Sequence, residues 1–314
     1  MMTRGKWNSK KRNSANLVLL VAVLSSAWGC KKPDYDGNRV KDAASGHRPS
    51  QIEWGNIFLE GNNKKYPQDS VKAAQWFMLA GTETNYTVKS GESRWQVNDR
   101  FGIPLELIRE ANPEVDMNRI KGGEEITIPG ARIAQFNLGM LYEQGKGVKK
   151  DHALAAEWHT RAAKAGLADA QFALGYLLEK GTASGTVLDT PDFSGAVHWY
   201  SRSANQGFGP AQQNLAQLHL KGQGTSRDLT LAYKWFTLAK RNAKEYQMTP
   251  STKARFKKEL SDKEWAAKVK HDEMLKETEK NMETATDRLE GTMPAADVTR
   301  AKQLVETFVA KREK

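Results

Sequence analysis

Four tryptophans, Trp76, Trp158, Trp199 and Trp235, stand in one repeated frame that constrains the fold more than any other feature of the chain. Seven residues before each lies an aspartate (Asp69, Asp151, Asp192, Asp228), and three before each an alanine (Ala73, Ala155, Ala196, Ala232). The following residue is Phe77, His159, Tyr200 or Phe236, and four after each tryptophan stands a small residue, Ala80, Ala162, Ser203 or Ala239. Spacings of three and four draw one stripe along a helix, and the aspartate suits its N-cap. A second helix precedes each of these. Its copies are Trp54-Gly55 with Phe58 and Gly61, Leu138-Gly139 with Tyr142 and Gly145, Leu174-Gly175 with Leu178 and Gly181, and Leu215-Ala216 with His219 and Gly222. A glycine inside a helix costs about 1 kcal/mol against alanine, so its recurrence points to close helix–helix approach. The terminal glycine fits a left-handed C-cap.

The period follows from the same marks. Trp199 and Trp235 are 36 residues apart, and Trp158 and Trp199 are 41 apart, with a loop from Gly181 to Asp192 five residues longer than that from Gly145 to Asp151. Trp76 and Trp158 are 82 apart, so an extra segment lies between the first and second copies. The clearest copy reads AQFNLGMLYEQGKGVKKDHALAAEWHTRAAKAG, Ala134 to Gly166. This pattern resembles the Sel-one-like repeat family, relatives of the tetratricopeptide repeat, over residues 51–84 and 131–241. The resemblance implies a mainly α fold, an α-solenoid of helix pairs whose concave face binds partner proteins. Physical reasoning agrees: no single pair can bury its own stripe, so neighbours must supply the other wall.

The extra segment, residues 85–130, opens on the strand-like YTVKSG and closes on Glu125-Ile126-Thr127-Ile128-Pro129. Two amphipathic stretches lie between them, one from about Ser93 to Phe101 ending at Gly102, the other from about Pro104 to Ala111 ending at Asn112-Pro113. The order strand–helix–helix–strand is readable directly. Tyr86, Val88, Gly91, Trp95, Gly102, Ile103, Leu107, Asn112, Pro113, Ile126 and Pro129 then resemble the lysin motif (LysM), a small βααβ domain. That family binds N-acetylglucosamine glycans such as peptidoglycan and chitin in a shallow groove between two loops. Carried over, the groove is Gly91, Glu92, Ser93 and Arg94 facing Asn112, Pro113, Met117, Asn118, Arg119 and Ile120. Two departures stand out. Glu92, Ser93 and Arg94 replace the usual aspartate, threonine and leucine, and Asn98 replaces an alanine at a packed position, where a polar group costs stability unless paired.

The N-terminus reads as a targeting segment. A positive stretch from Arg4 to Arg12 precedes the apolar run Leu17 to Leu24, then small residues and Cys30, the only cysteine. Residues 1–30 resemble a bacterial lipoprotein signal. The resemblance implies a lipid on Cys30, cleavage before it and export to the cell envelope, with the outer membrane favoured. The competing reading is cleavage after Ala27, leaving Cys30 a free thiol. Residues 31–50 read as a flexible tether. Residues 242–314 leave the repeat frame and read as a C-terminal helical cap of one or two long charged helices, with Pro294 opening a last one. The 266–290 part is alternatively an arm for a partner.

Of the net charge of +11, Arg4, Lys6, Lys10, Lys11 and Arg12 supply nearly half. The rest is mildly basic, and no basic patch interleaved with aromatics argues for nucleic acid. The six histidines (His47, His152, His159, His198, His219, His271) form no metal-binding spacing, and no phosphate loop or nucleophile–base constellation occurs. The sequence therefore predicts no cofactor, no metal site and no catalytic residue. It favours a non-catalytic envelope adaptor, which binds peptidoglycan through the LysM, an envelope protein through the repeats and the membrane through a lipid. The alternatives are a protein–protein scaffold whose LysM has lost its glycan, and a peptidoglycan-processing enzyme.

Overall fold

The computed structural model describes residues 42–44, 46–61, 66–181 and 190–308. The targeting segment with Cys30, and most of the long loop after Gly181, lie outside them. Four helix pairs carry the tryptophan frame: α1 (Arg48–Glu60) with α2 (Ser70–Gly81), then, after an insertion, α5 (Arg132–Gln144) with α6 (His152–Lys164), α7 (Ala168–Lys180) with α8 (Phe193–Asn205), and α9 (Gly209–Lys221) with α10 (Leu229–Glu245). From α1 to α8, each helix that carries the frame packs on the next such helix, and α2 packs directly on α5. The insertion therefore leaves the stacking of the first and second pairs unbroken.

Each aspartate of the frame caps its helix. Asp69 accepts the N–H groups of Val71 and Lys72, and Asp151, Asp192 and Asp228 accept those of Leu154, Gly195 and Leu231. The in-helix glycines meet the aromatic slot after each tryptophan. A Cβ on Gly55, Gly139 or Gly175 would lie 2.4, 2.5 or 2.8 Å from the ring of Phe77, His159 or Tyr200. All three rings are fully buried. Tyr200 is held further, its hydroxyl donating to Glu179 (2.7 Å) and accepting from Asn214 (3.0 Å). His159 occupies the same slot with Nε2 3.8 Å from Glu143.

The turns between pairs share two bonds. The N–H of the residue before the next helix donates to the carbonyl four residues after the tryptophan: Leu167 to Ala162 (3.1 Å), Phe208 to Ser203 (3.2 Å) and, across the whole insertion, Ala131 to Ala80 (2.8 Å). A glutamine four residues before the in-helix glycine, or before Ala216 in the fourth copy, then donates to the next carbonyl: Gln171 to Ala163, Gln212 to Ala204 and Gln135 to Gly81. Gln51 makes the equivalent bond to Ala43, ahead of the first pair. All four glutamines are buried.

The insertion is β1 (Thr84–Thr87), α3 (Arg94–Phe101), α4 (Leu105–Ala111) and β2 (Glu125–Ile128). The strands pair antiparallel, Thr84 opposite Ile128 and Tyr86 opposite Ile126. Its core of Val88, Val97, Phe101, Ile103, Ile108, Met117, Ile126 and Ile128 is continuous with Phe77, Leu138 and Trp158 of the repeats. Arg48 fastens the junction. Its buried guanidinium donates to the carbonyls of Leu79 and Thr82 and to the Thr84 hydroxyl. The tether expected over 31–50 therefore ends sooner. Residues 42–44 are helical, Ala43 is buried against Trp54 and Ile57, and α1 starts at Arg48 with His47 as N-cap and Pro49 at its first turn.

The described residues fall into two compact units, 243–281 and the remainder. In the first, α11 (Pro250–Glu259) and the bulk of α12 (Asp262–Glu290) gather around the buried carboxylate of Asp272. Burial pushes this group up, but Lys253 (2.8 Å), Lys276 (2.9 Å) and the Met248 N–H (2.7 Å) outweigh it and bring it down to about 2. In the second unit, Glu290 and α13 (Ala295–Glu306) close the fourth pair. Tyr233 donates to Glu290, Lys302 pairs with Glu290 at 3.1 Å, and Phe308 meets Trp235 edge-on.

The glycine–ring contact is testable. Gly175→Ala raises helix propensity by about 1 kcal/mol, yet its methyl meets a ring that Glu179 and Asn214 hold in place. Overpacking of about 1–3 kcal/mol exceeds that gain, so the variant should unfold at lower temperature than the parent in a circular-dichroism melt. A rise in the midpoint would contradict this packing.

Candidate functional site

The β1–α3 loop and the α4–β2 loop meet on one face of the inserted module. Beyond the strand ladder, Val88 and Glu124 continue the pairing (2.8 Å), and the Gly123 N–H returns to the Val88 carbonyl (2.8 Å). These bonds set the two loops side by side. Ser93 then caps α3 in a capping box with Gln96, fixing the direction in which Arg94 and Trp95 leave the helix start.

The structure divides the ten carried-over residues into two sets. Glu92, Asn112 and Met117 are turned into the module. Met117 is a core residue, 1% exposed. Asn112 donates to the carbonyls of Ile108 and Thr127 (both 2.7 Å) and accepts the Thr127 N–H (2.7 Å), tying α4 to β2. Glu92 accepts from the Tyr86 hydroxyl (2.6 Å), the Lys89 N–H (3.1 Å) and Arg100 (2.9 and 3.0 Å). The side chains of these three residues shape the loops from within, and the outward side chains come from the other seven. Gly91, Ser93, Pro113, Asn118 and Arg119 are exposed, with Arg94 and Ile120 half-buried.

Arg94 spans the two loops. Its guanidinium donates to Asn118 Oδ1 and lies 4.9 Å from the centroid of the Trp95 ring. Trp95 is 61% exposed. Sequence reasoning counted it only as part of the fold signature. Helical spacing carried the signal, because Trp95 stands about 200° around the helix from the core residue Val97. An exposed indole beside donors and a short amide is a surface for the apolar face of a sugar. Asn98, the second departure, is paired: its amide donates to the Ile103 carbonyl. Among the described residues, no group of three or more His, Cys, Asp or Glu is placed to hold a metal, and no helix is long and apolar enough to cross a membrane.

Burial raises the Glu92 carboxyl, but the Tyr86 hydroxyl, the Lys89 N–H and Arg100 together hold it below its ordinary value of 4.5. A carboxyl lowered in the folded state contributes stability above its unfolded pKa and loses it as pH falls through the folded value. Melts at pH 6 and pH 3 should therefore show a smaller loss of stability on acidification for Glu92→Gln than for the parent chain. Equal losses would remove Glu92 from the module's acid sensitivity.

Comparison with known proteins bears on both parts. The family model described as Sel1 repeat matches residues 48–83, 132–167, 168–208 and 209–243, and that described as LysM domain matches 86–129. No curated protein matches. Among solved structures, similarity is found to a Sel1 repeat protein from Oxalobacter formigenes (18% identity, covering 73% of this chain and 69% of that one, TM-score 0.43). Another is c5321, a protective antigen of uropathogenic Escherichia coli strains displaying an SLR fold (17%, 86% and 70%, TM-score 0.34). An immunity protein from Pseudomonas aeruginosa is also similar (20%, 73% and 82%, TM-score 0.29). The chain thus carries Sel1 repeats that form a mainly helical solenoid, with a LysM domain inserted between the first repeat and the second.

Proposed function

We propose that the chain is a non-catalytic adaptor of the bacterial cell envelope. Its LysM binds peptidoglycan or a related N-acetylglucosamine glycan, its helical repeats recruit an envelope protein, and a lipid on Cys30 anchors it, facing the periplasm from the outer membrane. One observation carries the glycan part. The two-loop face presents Arg94, Trp95, Asn118 and Arg119 outward while the same module's core is continuous with that of the repeats. Backbone amides and short polar groups suit an acetamido substituent, and the indole suits a pyranose face. Because the module is built into a repeat turn, a glycan-bound chain holds its solenoid at a set place near the wall. Two weak sites on one body raise each other's effective concentration, so a shallow groove suffices.

Co-sedimentation with purified peptidoglycan sacculi tests this reading. The full chain should pellet with sacculi. A variant lacking residues 84–128, in which the Ala80–Ala131 turn can still close, should stay in the supernatant with its helical signal intact. Trp95→Ala should weaken binding by about tenfold, the order expected when a stacking aromatic at a binding face is truncated. A parent chain that does not pellet would retire the glycan claim and favour a scaffold acting through the repeats alone.

A further inference from the structure

The positive charge of the groove is arranged unevenly. Arg100, on the far turn of α3, is spent on Glu92, whose carboxylate it meets at 2.9 Å. Arg94 is not spent in this way. Among the described residues it makes no ion pair, its bridge to the opposite loop ends on the neutral amide of Asn118, and its buried Nε meets no acceptor. The residue next to that amide, Arg119, has a side chain 86% exposed and reaches its nearest carboxylate, the exposed Asp116, only at 4.0 Å. Asp116 in turn accepts the Asn118 N–H (3.0 Å). One guanidinium from each loop therefore borders the groove, with Glu92 neutralised internally and Asp116 the acid turned toward them.

A guanidinium forms stronger, two-pronged hydrogen bonds with a carboxylate than with a carboxamide, and loses less entropy than a lysine in doing so. Asn118 is thus a placeholder that an anionic group can displace. The Trp95 face beside Arg94 supplies the contact for an adjoining sugar. A neutral polymer of N-acetylglucosamine has no group for this position. A glycan whose alternate sugars carry a lactyl ether or an attached peptide does.

We propose that the LysM groove is selective for carboxylate-bearing glycans, with Arg94 as the residue that determines this specificity by exchanging Asn118 for the ligand's carboxylate. The inference rests on the glycan-binding reading above and adds the chemical class of ligand to it. Arg119, beside the exchanged amide, reinforces the preference through its charge. Because Arg94 is half-exposed, the preference weakens as salt rises.

The test measures binding of the full chain, Arg94→Leu and Arg94→Lys to three probes. These are intact sacculi, sacculi whose carboxylates have been capped as amides with carbodiimide and ethanolamine, and the neutral N-acetylglucosamine hexamer. A further arm, sacculi stripped of peptides by an amidase, separates the lactyl carboxylate from those of the peptide. The parent chain should prefer carboxylate-bearing sacculi by about tenfold, the worth of one charge-assisted hydrogen bond. Arg94→Leu should bind the anionic and neutral probes alike, and Arg94→Lys should recover only part of the preference. Equal binding of the parent to all probes would overturn the selectivity and leave the glycan reading standing, as would an undiminished preference in Arg94→Leu. Failure of the parent to bind any probe would overturn both.

Discussion

The architecture depends on how the turn between helix pairs is closed. Each turn is fastened by a backbone bond to the carbonyl four residues after the tryptophan and by a buried glutamine bonded to the next carbonyl. A buried carbonyl left without a donor costs about 1–3 kcal/mol, so these bonds hold the register of one pair on the next. They also explain how a whole domain fits between the first repeat and the second. Ala131 reaches Ala80, and Gln135 reaches Gly81, with the same geometry that Leu167, Phe208 and the other glutamines show in uninterrupted turns. The chain leaves and re-enters the solenoid at one point, and a strand pair starting at Thr84 and ending at Ile128 bridges the gap.

This placement makes the LysM part of the repeat body. Its apolar residues join the cluster of the first and second pairs, Arg48 bonds both α2 and the start of β1, and Pro49 packs on Gly102 so closely that a Cβ there would lie 2.3 Å away. Such a junction gives the module a fixed pose on the repeats, unlike a domain on a linker. The outward face is left to the loops, and there the sequence departs from the usual leucine by placing Arg94.

Much of this was legible in the sequence, and the exceptions have physical causes. The tryptophan frame, the aspartate caps and the glycines facing rings are local or periodic features, and they were readable because each recurs at fixed spacing. The strand–helix–helix–strand order was legible for the same reason. The glutamines were overlooked because Gln51, Gln135, Gln171 and Gln212 are polar residues on a buried face, which hydropathy alone does not place. The start of α1 was hidden because Arg48, a charged residue in a polar stretch, is buried by long-range bonds to carbonyls more than thirty residues away. The direction of the loop side chains was not legible either. Whether Asn112 faces a ligand or ties α4 to β2 is decided by a partner, Thr127, fifteen residues on.

The LysM domain sits inside a repeat turn that remains closed. Hydrogen exchange on the Ala131 amide tests it most directly, because this single bond to Ala80 spans the whole insertion. The Ala131 amide should be protected to the same degree as the Leu167 and Phe208 amides, which make the same bond in uninterrupted turns. Exchange of Ala131 at the rate of an open loop, with Leu167 and Phe208 protected, would show instead that the insertion breaks the solenoid.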